Sequence, residues 1–186
     1  NFDVFTVPAT GGTPIRLTFN SNNEYPSTFS PDGKSIIFSA LLQDNYKNIL
    51  FPYNLLTELY SVPVEGGRVT QILTTPAENA TFSPNGKLIA YHDRKGYEDP
   101  WRKHHKSAVT RDIWVYNTEL GKHEKITSFN GEDRNPVFSS DGRLFYLTEQ
   151  WGSFNVATIS LEKGSEPKQI SFFDKHPVRF LTKSNN

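Results

Sequence analysis

Apolar residues along this chain gather in short runs, among them SIIF at 35–38, LIAY at 88–91 and DIWVY at 112–116, parted by clusters of Gly, Pro, Asp, Asn and Ser. The runs are rich in β-branched and aromatic residues and bounded by turn residues, a pattern that predicts β-strands. They do not alternate cleanly between apolar and polar positions. A sheet with one wet face should alternate, so these strands are expected to be covered on both sides. A helical apolar period is missing almost everywhere. The expectation is an all-β fold of short, consecutive, antiparallel strands.

One phrase recurs three times: FSPDGK at 29–34, FSPNGK at 82–87 and FSSDGR at 138–143. It sits inside a larger unit, with copies over about 3–40, 58–93, 112–149 and 155–181, and HPVRFL at 176–181 is expected as the last strand. Phe29, Phe82 and Phe138 stand 53 and 56 residues apart. With 41–57 and 94–111 set aside as insertions, the unit approaches the roughly forty-residue period of propeller blades. Asp32-Gly33, Asn85-Gly86 and Asp141-Gly142 are expected to supply the positive backbone angles of tight hairpins. Gly11-Gly12 and Gly66-Gly67 do the same for a second hairpin of the unit. The predicted fold is a β-propeller of four-stranded antiparallel blades, each sandwiched between neighbours. The whole chain, 1–186, reads as a partial propeller of fewer than four blades, starting at the third strand of one blade and stopping near the first strand of another. Such an arc has two long unpaired sheet edges. Further sequence that closes the ring, or other chains, are expected to cover them.

Composition narrows the functions. Lys plus Arg and Asp plus Glu number 20 each, so the formal net charge is zero and no global field draws in nucleic acid or an anionic membrane. No apolar run approaches the roughly 18 residues of a spanning helix, and no signal-peptide pattern opens the chain. Cysteine is absent, which removes disulfides, thiolate chemistry and Cys-based metal sites. Methionine is absent too, so residue 1 is read as an internal point of something longer. The sequence holds no G-x-S-x-G elbow, glycine-rich phosphate loop or H-E-x-x-H motif, and no catalytic residue or cofactor is assigned. A propeller of this sort acting alone is expected to be a binder.

The run LYSVPVEGG…LT…FSPNGKLIAY resembles the WD40-like repeat of TolB and of the tricorn-type protease propellers, over essentially the whole chain. More narrowly, RKGYEDPWRKHHKSAVTRDIWVY at 94–116 and GEDRNPVFS at 131–139 resemble the amino-terminal propeller of secreted tricorn-like S41 serine peptidases. The resemblance implies a ring of about six blades when complete. It also implies a peptide-handling accessory domain in the periplasm or outside the cell, with the nucleophile in a downstream module. The alternative is a TolB-like periplasmic scaffold that docks other envelope proteins. A propeller joined to an α/β-hydrolase peptidase is a third reading. A peptidase parent predicts PDZ and protease modules after residue 186, whereas a scaffold predicts a frame that ends once the ring closes.

Both insertions fall between the second and third strands of a blade. Strand direction reverses at every hairpin, so they are expected to share one face with the inter-blade links 20–26, 75–80 and 130–136, opposite the Asp-Gly turns. Function in repeat folds collects on insertions along one face, which makes this the expected working surface. The second insertion carries Trp101, Arg102, His104 and His105 and ends at Arg111, an aromatic and basic set suited to a peptide carboxylate or an acidic partner. The competing reading is that Trp101 caps a blade edge while the charges stay wet. Adjacent histidines point apart and no third ligand is evident, so no metal is assigned. Glu98, Asp99 and Asp112 flank the basic run and argue against nucleic acid. In the first insertion, Phe51 and Tyr53 lie among apolar residues that either fold back over the propeller or dock another domain or subunit. Glu132, Asp133 and Arg134 read either as a self-paired surface turn or as a polar lip at the channel mouth. Asn79-Ala80-Thr81 matches a glycosylation acceptor but runs straight into a core strand, and is discounted. The expected partners are peptides or proteins and other domains of the parent chain.

Overall fold

The apolar runs pair as their hairpin signals direct. In the computed structural model, which describes residues 2–42, 56–97, 99, 101–102 and 104–184, the strands form three four-stranded antiparallel sheets and one two-stranded piece. The piece is β1 (Phe5–Thr6) with β2 (Ile15–Arg16). Blade A holds β3 (Tyr25–Phe29), β4 (Ser35–Ala40), β5 (Glu58–Pro63) and β6 (Thr70–Leu73). Blade B holds β7 (Ala77–Phe82), β8 (Leu88–Asp93), β9 (Ile113–Asn117) and β10 (Lys122–Lys125). Blade C holds β11 (Asp133–Phe138), β12 (Leu144–Thr148), β13 (Asn155–Ile159) and β14 (Lys168–Gln169). Within each blade the strands pair in chain order, and no described residue is helical. The first strands β3, β7 and β11 lie beside one another, so the blades radiate from a shared axis as in a propeller.

The two-sided apolar strands are buried on both faces because each blade packs against the next. Val4 and Leu17 pack on Ile36, Phe38 and Tyr60 of blade A. Ile37, Leu59 and Leu73 of blade A meet Ala80, Ile89 and Tyr91 of blade B. Ile113 and Val115 of blade B meet Phe138, Leu144 and Tyr146 of blade C. A large side chain buried this way stabilises the fold by about 1.5–3 kcal/mol.

The repeated phrase is a turn built the same way three times. Gly33, Gly86 and Gly142 donate backbone N–H to the carbonyls of Ser30, Ser83 and Ser139. The serine hydroxyl donates to the side chain of Asp32, Asn85 or Asp141, which also accepts the N–H of Lys34, Lys87 or Arg143. Only the glycines have positive φ, at 70°, 72° and 85°; Asp32, Asn85 and Asp141 do not share it, contrary to the expectation that the pair supplies both angles. The reason lies in the acidic or amide side chain, which closes an Asx-type turn from the right-handed region and leaves the left-handed residue to Gly.

Adjacent blades are stitched by one repeated hydrogen bond. The N–H of Glu24, Ala77, Asp133 and Val178 donates to the carbonyl of Phe2, Thr57, Arg111 and Phe154, at 2.9, 2.8, 3.0 and 2.9 Å. Val178 therefore stands where a first strand begins. Residues 176–181 nevertheless form no strand, which corrects the expectation for HPVRFL: a ladder needs a second strand, and no described residue supplies one.

Candidate functional site

The three inter-blade links each carry a glutamate, and all three reach back to the segment just before the third strand of the preceding blade. Glu24 accepts the Val4 N–H, Glu78 accepts the Thr57 hydroxyl, and Glu132 accepts the Arg111 N–H. The described flanks of both insertions thus gather with the links at one end of the arc. Asn22 adds to this by donating to the Leu41 carbonyl. Phe51 and Tyr53 lie outside the described residues.

At this end β7 and β11 are bulged. Their ladders with β8 and β12 break register between Glu78 and Thr81 and between Arg134 and Val137. Asn79 and Asn135 sit in the breaks with φ of 51° and 54°, the left-handed region that Asn tolerates better than most residues. The bulge re-aims the preceding side chains, Glu78 and Arg134, into one cavity of about 340 Å³ together with His92, Arg111, Trp101 and Arg179.

His92 is buried and uses both ring nitrogens. The backbone N–H of Asn135 donates to Nδ1 at 3.1 Å, which leaves the ring proton on Nε2, where it donates to Glu78 at 3.3 Å. Burial pushes the His92 pKa down, against the pull of Glu78. Burial works against the Glu78 carboxylate, but the hydrogen bond from His92 and the charges of Arg94 and Arg111 override it and bring the carboxyl down to about 2. Arg94 closes this cluster at 3.0 Å from Glu78. Arg111, at the end of the second insertion, forms a buried ion pair with Glu132. Nearby, Lys95 and Lys125 neutralise Asp112.

The described residues of 94–111 lie at this end. His104 takes a left-handed φ of 57°, and its N–H donates to the buried carboxylate of Glu149 at 2.7 Å, anchoring the loop on blade C. Trp101 is 71% exposed, and the Arg179 guanidinium lies 4.6 Å from its ring centre. Arg102 and His105 border a small crevice with Glu132, Arg134, Glu149 and Phe154. Among the described residues no group of three or more His, Asp or Glu is arranged to hold a metal ion.

Glu132, Asp133 and Arg134 do not form a self-paired surface turn, because they lie at the start of β11 in the packed centre of the arc, where Arg134 lines the mouth cavity and Glu132 the adjoining crevice. All three are buried. Asp133 is fully enclosed and borders none of the cavities described. Burial pushes its carboxyl up to about 7, with Asp112 and Glu132 acting in the same sense; the hydroxyls of Thr127 and Thr148 hold it back without completing a sound hydrogen bond. Sequence reasoning found Trp101, Arg111, Glu132 and Arg134 and missed Glu78, His92, Asn135 and Arg179. The signals for the missed residues were polar side chains inside strand phrases, AENATF and LIAYHD, and an arginine in HPVRFL.

Beyond Asn79 and Asn135, a second cavity of about 470 Å³ continues between the first strands, walled by Pro26, Thr28, Ala80, Thr81, Pro136 and Val137. A charged mouth thus leads to a largely uncharged passage along the axis.

These features define an arc of β-propeller blades in which the described flanks of the insertions gather with the inter-blade links at one axial end. The chain belongs to the tricorn protease N-terminal beta propeller domain family, which matches residues 1–186. It is 25% identical over 154 residues to the Tricorn protease of Thermoplasma acidophilum, covering 83% of this chain and 13% of that protein. It is 33% identical over 93 residues to the Tol-Pal system protein TolB of Alcanivorax borkumensis, covering 49% of this chain and 19% of that protein. The matched regions therefore span less than a fifth of the length of either relative. The crystal structure of the tricorn protease superposes with a TM-score of 0.74 at 20% identity, covering 94% of this chain and 16% of that one. TolB from Acinetobacter baumannii gives 0.64 at 20% identity, covering 90% and 37%.

Proposed function

We propose that this chain is the non-catalytic propeller module of a tricorn-like serine peptidase, where it binds or channels peptide substrates and docks neighbouring domains. The observation that carries this is the mouth itself. Aromatic and basic residues of the second insertion, Trp101 and Arg111, lie at the axial end where the bulged first strands present Glu78 and Arg134, and a second cavity of about 470 Å³, with Lys183 as its one charged wall among the described residues, follows. The family match supports a protease parent, and the likeness to Tricorn protease over most of the chain supports it further. A TolB-like envelope scaffold is the second reading, favoured by the 33% identity to TolB. A periplasmic or extracellular location is proposed on the TolB likeness alone. The deciding experiment is to read the coding frame beyond Asn186. A serine-nucleophile module downstream supports the peptidase reading. A frame that completes the ring and stops overturns it and leaves the mouth as a docking surface.

A further inference from the structure

Four pairs of Asp or Asn followed by Gly occur in the chain: Asp32-Gly33, Asn85-Gly86, Asn130-Gly131 and Asp141-Gly142. A glycine in second place leaves its backbone nitrogen unhindered, so that nitrogen can attack the preceding side-chain carbonyl carbon and close a five-membered imide. Three of the four pairs are held against this by the repeated turn. The Gly33, Gly86 and Gly142 N–H groups are engaged with serine carbonyls, and each Asp or Asn side chain accepts the serine hydroxyl and the N–H two residues on. At Asn85-Gly86 these three bonds measure 2.9, 2.7 and 3.1 Å. Asp32 and Asp141 are protected further. Hydrogen bonds from Ser30 and Ser139 hold their carboxyls below the usual range, and an ionised carboxylate resists a nucleophile.

Asn130-Gly131, in the link between blades B and C, has none of these restraints. Asn130 is exposed and its side chain bonds to no described residue; the Gly131 N–H, although buried, donates to no described acceptor. A Cβ at 131 would overlap Cε1 of Phe129, so packing retains the glycine that makes the pair labile. We propose that Asn130 is a site of spontaneous deamidation, which places a new carboxylate beside the buried pair of Arg111 and Glu132. The Gly131 nitrogen gives its proton to water or hydroxide and bonds to Cγ of Asn130, the Cγ–Nδ2 bond breaks, and ammonia leaves with a proton returned from solvent. Water then opens the imide at either carbonyl, giving aspartate or isoaspartate. Overall one water is consumed and one ammonia released, with no change of oxidation state. Either product adds a negative charge next to Glu132, which Arg111 neutralises. Isoaspartate also lengthens the main chain by one carbon just before the bond from Asp133 to Arg111 that stitches the two blades. The modification is independent of what the mouth binds.

The test is incubation of the full chain at pH 8, folded and in urea, followed by digestion and chromatography with mass spectrometry that separates the asparagine, aspartate and isoaspartate forms of each peptide. In the folded chain Asn130 converts about tenfold or more faster than Asn85, whose turn must open its hydrogen bonds first. In urea the two convert at similar rates, because the protection belongs to the fold. Ser83→Ala, which removes one anchor of the Asn85 side chain, raises the Asn85 rate and leaves that of Asn130 unchanged. A folded ratio no higher than the ratio in urea overturns the site, as does an intact Asn130 in folded chain over a time in which the unfolded chain converts. An unchanged Asn85 rate in folded Ser83→Ala overturns the turn as its shield; if that variant unfolds, the comparison of folded with urea-treated wild type decides alone.

Discussion

Asp133 occupies in blade C the place that Glu24 occupies in blade A, one methylene short of the same partners. Both donate their N–H to the preceding blade, to Arg111 and to Phe2. In the piece before blade A the Val4 N–H donates to the Thr18 hydroxyl and to Glu24, and the Thr18 hydroxyl donates to Glu24. In blade B, before blade C, the Ile113 N–H donates to the Thr127 hydroxyl in the same way, but neither oxygen of Asp133 completes a hydrogen bond.

This makes Asp133 a titrating group in the core. Its folded pKa of about 7 lies above the ordinary 3.8, so the folded chain binds the proton more tightly than the unfolded chain. The stabilisation is fully present below about pH 4 and is lost as pH rises to about 7. Asp133→Asn removes that dependence, and the variant gains on wild type across this window by on the order of 2–4 kcal/mol. Urea unfolding at pH 5 and pH 8 checks it; parallel shifts at both would sink the idea. Asp133→Glu, by restoring the missing methylene, should recover the blade A arrangement and flatten the same slope.

Glu78 has the opposite sign. Its folded pKa of about 2 lies below the ordinary 4.5, so its stabilisation is present above pH 4.5 and is lost as pH falls towards 2. Glu78→Gln is expected to lower stability at neutral pH and to flatten the acid limb of the melting profile below pH 4.5.

The buried pair Arg111 and Glu132 should be far more sensitive to single than to double replacement. Arg111→Met leaves the Glu132 carboxylate buried without its cation and costs about 3–5 kcal/mol. Arg111→Met combined with Glu132→Gln recovers much of the loss. A double-mutant cycle in urea measures the coupling, and additive losses would contradict the pairing.

The three repeated turns should not respond equally to a methyl group. Gly33→Ala and Gly142→Ala meet open space and pay only the left-handed strain, about 1 kcal/mol. A Cβ at Gly86 also meets Pro31 Cγ of the neighbouring blade at 3.1 Å, so Gly86→Ala costs more than either. Thermal melts of the three variants rank them.

The blades were legible because each hairpin carries its own turn chemistry and each strand its own two-sided apolar run. Those signals are local, and packing between blades confirms rather than overrides them. The mouth was only half legible. Glu24, Glu78 and Glu132 stand in comparable links, yet the inter-blade hydrogen bonds show each displaced by one residue from the next. Glu132 precedes the bonded residue of its blade, Glu24 is that residue, and Glu78 follows it. The bulges at Asn79 and Asn135 compound the slip. Asn79-Ala80-Thr81 carried no visible mark of a bulge, and Arg179 became a mouth residue only because Val178 is stitched to Phe154. A repeat aligned by its turns cannot register such offsets.

The stitch from each blade's first strand to the one before it also orders assembly. A finished blade offers the next stretch of chain a carbonyl at the mouth and an apolar face beside it, so each addition is templated by what has already folded. Stability then accumulates through nearest-neighbour terms, as in a one-dimensional lattice. During synthesis the arc can grow vectorially from its amino-terminal end, without waiting for distant strands to meet.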